Sequence, residues 1–167
     1  MPDESVKDAL PEGAFDGRGA FHAHLHAALA AAAKERWREI VFCDADFGNW
    51  PLGERALVDA LQAWANSGRR LVLLAQRFDV LERQHARFVH WRRMWGHIID
   101  CRVCDGPGLP VVPSGIWAPS WFLQRVDVEH VRGVCGLESV SRRRFRERID
   151  ECLRHATPGF PVSTLGL

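Results

Sequence analysis

The chain of 167 residues is long enough for one domain with a substantial core, and its formal net charge is +1. No apolar run approaches the ~20 residues needed to cross a bilayer, and five scattered cysteines do not make a secreted disulfide framework. We therefore expect a cytoplasmic protein with reduced thiols, no membrane association and no cofactor.

The first residues lack any periodic apolar pattern. Residues 1–18 combine proline and glycine with most of the acidic excess of the chain. We predict that residues 1–18 form a disordered tail, and that residues 19–167 form a single α/β domain.

Helical and extended patterns alternate after this tail. Apolar residues at helical spacing predict a helix from Phe21, and residues 38–43 are typical of a short buried strand. A second helix is predicted around residues 57–65, and the apolar run 71–75 predicts a strand covered on both faces. This alternation favours parallel strands joined by right-handed crossovers.

A third helix is predicted from Asp79 to about Trp95, opened by the capping pattern Asp79-x-x-Glu82 and followed by a strand at 97–104. Phe88, Trp91 and Trp95 share its apolar side, and we expect all three to be largely buried.

Weaker patterns fill the rest of the chain. Residues 116–126 and 130–135 are strand candidates, with a break at Pro119, and a last amphipathic helix is predicted around 145–153. The expected fold is α/β, with a mixed, mostly parallel sheet flanked by helices.

Two carboxylates, Asp44 and Asp46, directly follow the first predicted buried strand. Ligands bind at the carboxyl ends of strands in open α/β sheets, so this pair could hold Mg²⁺ for phosphoryl transfer. The next strand, however, ends in Gln76, and no lysine follows Lys34 to neutralise a phosphate. Aspartates also end strands simply because they cap turns, and that structural role is favoured.

The predicted third helix and its flanks are rich in cations. Arg77, His85 and Arg92 could form an anion site, with nearby tryptophans available to stack on bases. A core-facing stripe beside a solvated basic face is the favoured interpretation. The chain holds twenty arginines and two lysines, which suits bidentate phosphate capture, but a GC-rich genome explains the bias more simply.

Three further patterns favour structural roles. His22, His24 and His26 cannot converge on a metal from a helix, because His24 lies on the other edge of the apolar stripe. Cys101 and Cys104 point to opposite faces of an extended strand, which disfavours a zinc site. The arginines of residues 142–148 have acidic partners at helical spacing, so we expect a salt-bridged exposed face.

Several segments of the chain carry a family resemblance. They are 43–47 (CDADF), 50–52 (WPL), 67–75 (SGRRLVLLA), 87–97 (RFVHWRRMWGH), 158–161 (PGFP) and 164–167 (TLGL). These segments resemble the phospholipase D-like superfamily, specifically a small bacterial, proteobacterial family. The resemblance implies a single-domain phospholipase D-like sandwich.

Active members of that superfamily carry H-x-K-x4-D, in which the histidine attacks phosphorus and the lysine holds the phosphate. His85, His90 and His130 each have an arginine two residues later, but none has the aspartate. The resemblance thus supports the fold and argues against an enzyme.

The expected function is a non-catalytic domain that binds a phosphate-bearing ligand or a protein partner. The ligand-binding candidates are Asp44, Asp46, Arg77, His85 and Arg92, with no metal ligands among them. The alternative is a metal-dependent phosphoryl-transfer enzyme that uses Asp44 and Asp46. Nucleic acid ranks below these partners because the net charge is near zero, and a homodimer remains open.

Overall fold

A computed structural model describes residues 9–160; residues 1–8 of the predicted tail, and residues 161–167, lie outside the described residues. The strands are β1 (Gly13–Asp16), β2 (Glu39–Cys43), β3 (Arg70–Ala75), β4 (Ile99–Val103), β5 (Ser114–Trp117), β6 (Phe122–Asp127), β7 (Arg132–Gly136) and β8 (Thr157–Pro158). The helices are α1 (Arg18–Glu35), α2 (Arg55–Ala65), α3 (Asp79–Gln84), α4 (Ala86–Met94) and α5 (Ser139–Arg154).

All eight of these strands form one sheet, in the order β1-β7-β6-β5-β2-β3-β4-β8. The pairs β2–β3 and β3–β4 are parallel, and the other five neighbouring pairs are antiparallel. The α/β class is confirmed, but the prediction of a mostly parallel sheet is wrong. The second half of the chain forms the meander β5-β6-β7, whose short connections permit only antiparallel pairing.

Helices cover the sheet on both faces, so the domain has three layers. Ile40, Phe42 and Leu73 face a core that they share with α1, α2, α3 and α4. The alternate residues Val41 and Val72 face a second core formed with α5. This alternation follows from the pleat of a strand, in which successive side chains point to opposite faces.

The predicted disordered tail extends too far into the chain. Residues 13–16 form β1, which pairs with β7, and the indole N–H of Trp121 donates to the carbonyl of Pro11 at 2.9 Å. This pairing depends on a partner strand more than a hundred residues away, and a local pattern carries no trace of it.

The predicted third helix is broken in two at His85. Its backbone (φ −119°, ψ 55°) leaves the helical region, and its ring Nε2–H donates to the carbonyl of Phe47 at 2.8 Å. The expected cap is also missing, because no side chain caps the start of α3. The tertiary hydrogen bond of His85 therefore overrides the helical pattern.

Within residues 9–160, no helix has the length and apolar character required to cross a membrane.

Candidate functional site

Asp44 follows β2 and is held in a buried ion pair. Its Oδ1 accepts a hydrogen bond from Arg125 Nη2 at 2.6 Å, and the two side chains are 4% and 0% exposed. Its Oδ2 accepts from the backbone N–H of Phe47 at 2.8 Å and of Asp46 at 3.3 Å. Both oxygens are thus engaged, and Asp44 acts as a cross-link between β2 and β6.

Arg125 is enclosed on its other sides as well. Its Nε donates to Ser114 Oγ at 2.8 Å, and its guanidinium lies 4.7 Å from the centre of the Phe21 ring. The remaining nitrogen, Nη1, is buried without a hydrogen-bond partner among the described residues. A buried charge is tolerated only when it is paired in this way.

Asp46 and Arg77 form the exposed part of the predicted site. Arg77 Nη2 lies 3.8 Å from Asp46 Oδ2, and the arginine side chain is 64% exposed. Asp46 Oδ1 accepts from the backbone N–H of Gly48 at 2.9 Å, as in an Asx turn. This pair lies at the carboxyl edge of the parallel strands, as the sequence predicted.

The other two predicted site residues are buried and engaged with backbone. His85 holds the loop after β2 through Phe47. Arg92 donates to the carbonyl of Phe160 and lies 4.2 Å from the centre of the Phe160 ring. The structure thus brings Asp46 and Arg77 together at the surface, whereas Asp44 and His85 both hold the loop after β2 through Phe47, and Arg92 holds the segment at Phe160.

The histidine and cysteine patterns have the geometry expected from the sequence. His24 packs edge-on against Phe15 with ring centres 5.7 Å apart, whereas His22 and His26 both face Glu54 at 3.9 Å. Across the described residues, no group of three or more histidine, cysteine, aspartate or glutamate side chains is arranged to hold a metal ion.

Cys101 and Cys104 face opposite cores. Cys101 belongs to the core under α1 to α4, and Cys104 to the core under α5. Burial raises the pKa of Cys101 to about 11, and burial together with Cys104 raises that of Cys152 to about 11. These thiols are protonated at neutral pH and behave as core residues.

A cavity of about 430 Å³, named here the arginine cavity, opens at the opposite edge of the sheet, where β2 and β3 begin. It is lined by Arg36, Arg38, Asn66, Ser67, Gly68 and Arg69. The segments after α1 and α2 are held together there, because the backbone N–H groups of Arg69 and Arg70 both donate to the carbonyl of Arg38.

None of the three arginines in this cavity forms an ion pair with a carboxylate of the described residues. Glu35, the acidic neighbour of Arg36 in sequence, accepts instead from the indole N–H of Trp37 at 2.7 Å. Arg36 has a left-handed backbone (φ 55°, ψ 55°), where glycine is usually found at a helix end. The cavity therefore carries three positive charges with no opposing carboxylate.

Gly68 keeps the wall of this cavity thin. A Cβ atom at this position would lie 2.5 Å from the ring of Trp64, which is fully buried beneath it. Any larger residue would push this loop away from α2, so Gly68 allows the loop that lines the cavity to pack directly on Trp64.

The second cavity, named here the α5 cavity, has a volume of about 340 Å³. It is lined by Trp117, Pro119, Ser139, Arg142, Arg143 and Arg146. The Arg146 guanidinium lies 4.5 Å from the centre of the Trp117 ring, and Arg146 also pairs with Glu39 and Asp150. The expected pair of Arg146 with Asp150 is confirmed, at 2.9 Å.

The start of α5 is already capped from within the chain. Both oxygens of the Glu138 carboxylate accept backbone N–H groups of the first turn, at 2.8 Å each. Hydrogen bonds from Ser141 and then Val140 hold the pKa of Glu138 below its ordinary value. The arginine side chains, rather than the helix end, are thus the donors that the α5 cavity offers.

The third cavity is a groove of about 380 Å³ between α2 and α4. Its cations are engaged: Arg55 faces Asp59 at 3.9 Å, and Arg87 donates to the carbonyl of Gly53 at 3.0 Å. A carboxylate in its wall makes the groove less suited to an anion than the other two cavities.

The arginine cavity was not among the predicted sites, because ligand sites of open α/β sheets are expected at the carboxyl ends of the strands and this cavity lies at their starts. The sequence signal for this cavity is the pair Arg36 and Arg38 on either side of Trp37, together with the doublet Arg69-Arg70. Arg38 directly precedes β2 and Arg70 is the first residue of β3, and the starts of parallel neighbours meet at one edge.

The fold and these cavities define a mixed α/β domain with an arginine-rich edge. No family model matches the chain, and no protein of curated function matches it. Among solved structures, the chain is similar to TrmBL2, an archaeal chromatin protein described as showing a novel mode of DNA binding. The identity is 15% and the TM-score 0.63, over 89% of this chain and 54% of that chain.

This likeness concerns the fold alone, and the chain spans about half the length of TrmBL2 (54%). The assignment to a bacterial phospholipase D-like family is wrong on these findings. No family model supports it, and the similar structure is that of an archaeal chromatin protein. The motifs behind the assignment were diffuse. Residue 161 of the segment 158–161 and the whole segment 164–167 lie outside the described residues.

Proposed function

We propose that this domain is a non-catalytic binding module that holds a phosphate-bearing ligand in the arginine cavity. The observation that carries the proposal is the convergence of Arg36, Arg38 and Arg69 on one cavity without an opposing carboxylate. Guanidinium groups bind phosphate oxygens in a bidentate manner, and an arginine with no acidic partner has that capacity unused.

The C-terminal ends of α1 and α2 reduce the positive charge of the arginine cavity only in part. Each helix presents the equivalent of about −0.5 charge at its C-terminus, so the two together offset about one of the three positive charges. These helix ends thus offset part of the charge of the arginines, and a positive excess remains for a ligand.

The structure does not favour the alternative based on Asp44 and Asp46. Metal-dependent phosphoryl transfer needs both carboxylates in one open pocket. Asp44 is buried against Arg125, and Asp46 forms a turn with Gly48 and faces Arg77. These contacts favour ligand binding over catalysis.

Nucleic acid ranks higher as the ligand than the sequence suggested. TrmBL2, which has a similar fold, is described as showing a novel mode of DNA binding, although a shared fold does not carry a function with it. Six arginines line the two cavities at one edge, so a net charge of +1 understates the local potential there. The five free cysteines suit a cytoplasmic protein.

Arg69→Ala is expected to weaken the binding of inorganic pyrophosphate by about tenfold. A hydrogen bond to a charged group contributes ~1.5–3 kcal/mol, and 1.4 kcal/mol is a factor of ten in affinity. Isothermal titration calorimetry of the full chain at low ionic strength measures the effect. The matched control is Arg93→Ala, an exposed arginine of α4 that lines none of the three cavities. Absence of pyrophosphate binding by the unaltered protein would refute the proposed function.

Arg36→Gly separates binding from stability. A left-handed backbone costs a residue with a Cβ about 1–2 kcal/mol, a strain that glycine does not have. We therefore expect the free energy of unfolding in urea to stay the same or rise, while pyrophosphate affinity falls about tenfold. If the variant instead bound pyrophosphate as tightly as the unaltered chain, Arg36 would be no part of the site.

A further inference from the structure

We infer that the ligand is a single-stranded nucleic acid that lies across the edge of the sheet and contacts both the arginine cavity and the α5 cavity. The inference rests on the proposed function and extends it from one phosphate group to a polymer. Its basis is the position of the two cavities, which both adjoin the start of β2.

Glu39, the first residue of β2, connects the two cavities. Arg38 lines the arginine cavity, and the adjacent Glu39 accepts a hydrogen bond from Arg146 of the α5 cavity at 3.1 Å. Trp117 ends β5, which is antiparallel to β2, and pairs with Val41. The end of β5 and the start of β2 thus lie at the same edge, with three arginines on either side of the sheet.

The charges at this edge favour a polyanion over a single phosphate. Glu39 lies between the cavities and shares Arg146 with Asp150, so these three residues together keep one negative charge. The other five arginines that line the two cavities exceed it and leave the edge positive. Arg142 donates to the carbonyl of Leu137, which uses one of its five N–H donors. Arg143 has no ion-pair or hydrogen-bond partner among the described residues and is exposed.

The α5 cavity also offers a planar surface. The Arg146 guanidinium lies over the Trp117 ring, and the Arg146 side chain remains 24% exposed on its outer side. Unstacked bases pack on arginine planes and aromatic rings, whereas the bases of a duplex are inaccessible. The stacked side chains of Arg146 and Trp117 are therefore better suited to bind the bases of a single strand than to bind a duplex or a polyanion without bases.

The test is fluorescence anisotropy of the full chain with labelled oligothymidylates of about 4 and about 16 nucleotides, the range of site sizes for small binding folds. The longer strand should bind at least tenfold more tightly, because it can fill both cavities at once and offers more phosphates to their arginines. With about four phosphates neutralised, affinity should fall roughly fiftyfold between ~50 and ~200 mM salt, since the slope is about −0.7 per phosphate.

Arg143→Ala is the decisive variant, and Arg144→Ala is its control because Arg144 is exposed on the same helix but does not line the cavity. Arg143→Ala should weaken the longer strand about tenfold and make the salt slope less steep by about 0.7. It should leave pyrophosphate affinity unchanged, whereas Arg69→Ala should weaken both probes.

The outcomes distinguish this inference from the proposed function. If pyrophosphate binds but Arg143→Ala changes neither the affinity for the longer strand nor the salt slope, the extended contact is wrong and the arginine cavity stands alone. Heparin or a duplex of equal length binding as tightly as the single strand would overturn the choice of ligand. If pyrophosphate itself does not bind, the proposed function fails first.

Discussion

Arg125→Ala is expected to lower the free energy of unfolding by about 3–5 kcal/mol, because it leaves the buried Asp44 carboxylate without its counter-charge. Asp44 has no route to water, since its side chain is only 4% exposed. The variant also removes the hydrogen bond to Ser114 and the contact with the Phe21 ring. The four residues come from a loop, two strands and α1, so the loss is felt across the domain.

Urea unfolding followed by tryptophan fluorescence measures this change, with the midpoint and slope fitted together. Arg77→Ala is the matched control, because it breaks an exposed pair with Asp46, and such pairs contribute only about 0–1 kcal/mol. A cost below about 1 kcal/mol for Arg125→Ala would contradict the buried pair.

A double variant tests whether the pair acts as a unit. In Asp44→Asn with Arg125→Met, no charge is left buried, and the asparagine side-chain oxygen still accepts the N–H of Phe47. Replacing both partners of a buried pair is often near neutral. We expect the double variant to be more stable than Arg125→Ala by about 2 kcal/mol or more. If the double variant were no more stable than Arg125→Ala, the cost of Arg125→Ala would not come from the unpaired Asp44 charge.

The first half of the fold could be predicted from the sequence because its signals are local. Apolar stripes and runs fix α1, β2, α2 and β3 to within a few residues. The antiparallel half could not be predicted in the same way. β6 has the buried Arg125 in its interior, and β1 is set by a partner far along the chain. Local patterns indicated strands at 116–126 and 130–135, close to β5, β6 and β7, but they recorded neither the antiparallel pairing of these strands nor β1.

The predicted site shows the same division. Asp46 and Arg77 lie where the sequence places them, since the end of a parallel strand is a local feature. The engagement of Asp44 by Arg125 joins residues 81 positions apart, so the sequence left open a catalytic role that the packing does not support. The arginine cavity likewise forms from two separate loops, and its charge becomes apparent only when β2 and β3 pair.

The packing of α4 yields the other large expected effect, and it assigns that effect to Trp91. Phe88 and Trp91 are buried as predicted, with Trp91 only 2% exposed, but Trp95 is only partly buried. Both indole N–H groups donate to Gln62 Oε1, at 3.0 Å from Trp91 and 2.9 Å from Trp95. The short helix α4 is thus attached to α2 by one shared acceptor and to the core by Phe88 and Trp91.

Trp91→Ala is therefore expected to cost about 3–5 kcal/mol, from lost transfer energy and the cavity left between α2 and α4. That is a large part of the ~5–15 kcal/mol that holds a typical domain together. Trp95→Ala should cost less because its ring is partly solvated, and Arg93→Ala, on the exposed face, should stay within about 0.5 kcal/mol. Urea midpoints of the three variants give this order directly.

Trp91→Phe divides the effect of Trp91→Ala into its parts. It keeps most of the ring volume but removes the indole N–H, while Trp95 still donates to Gln62. Because the acceptor stays partnered, the lost hydrogen bond should cost only about 0.5–1.5 kcal/mol, and the rest of the alanine effect should come from the cavity. If Trp91→Ala proved no more destabilising than Trp95→Ala, α4 would be attached mainly through its C-terminal end, and the packing described for Trp91 would be wrong.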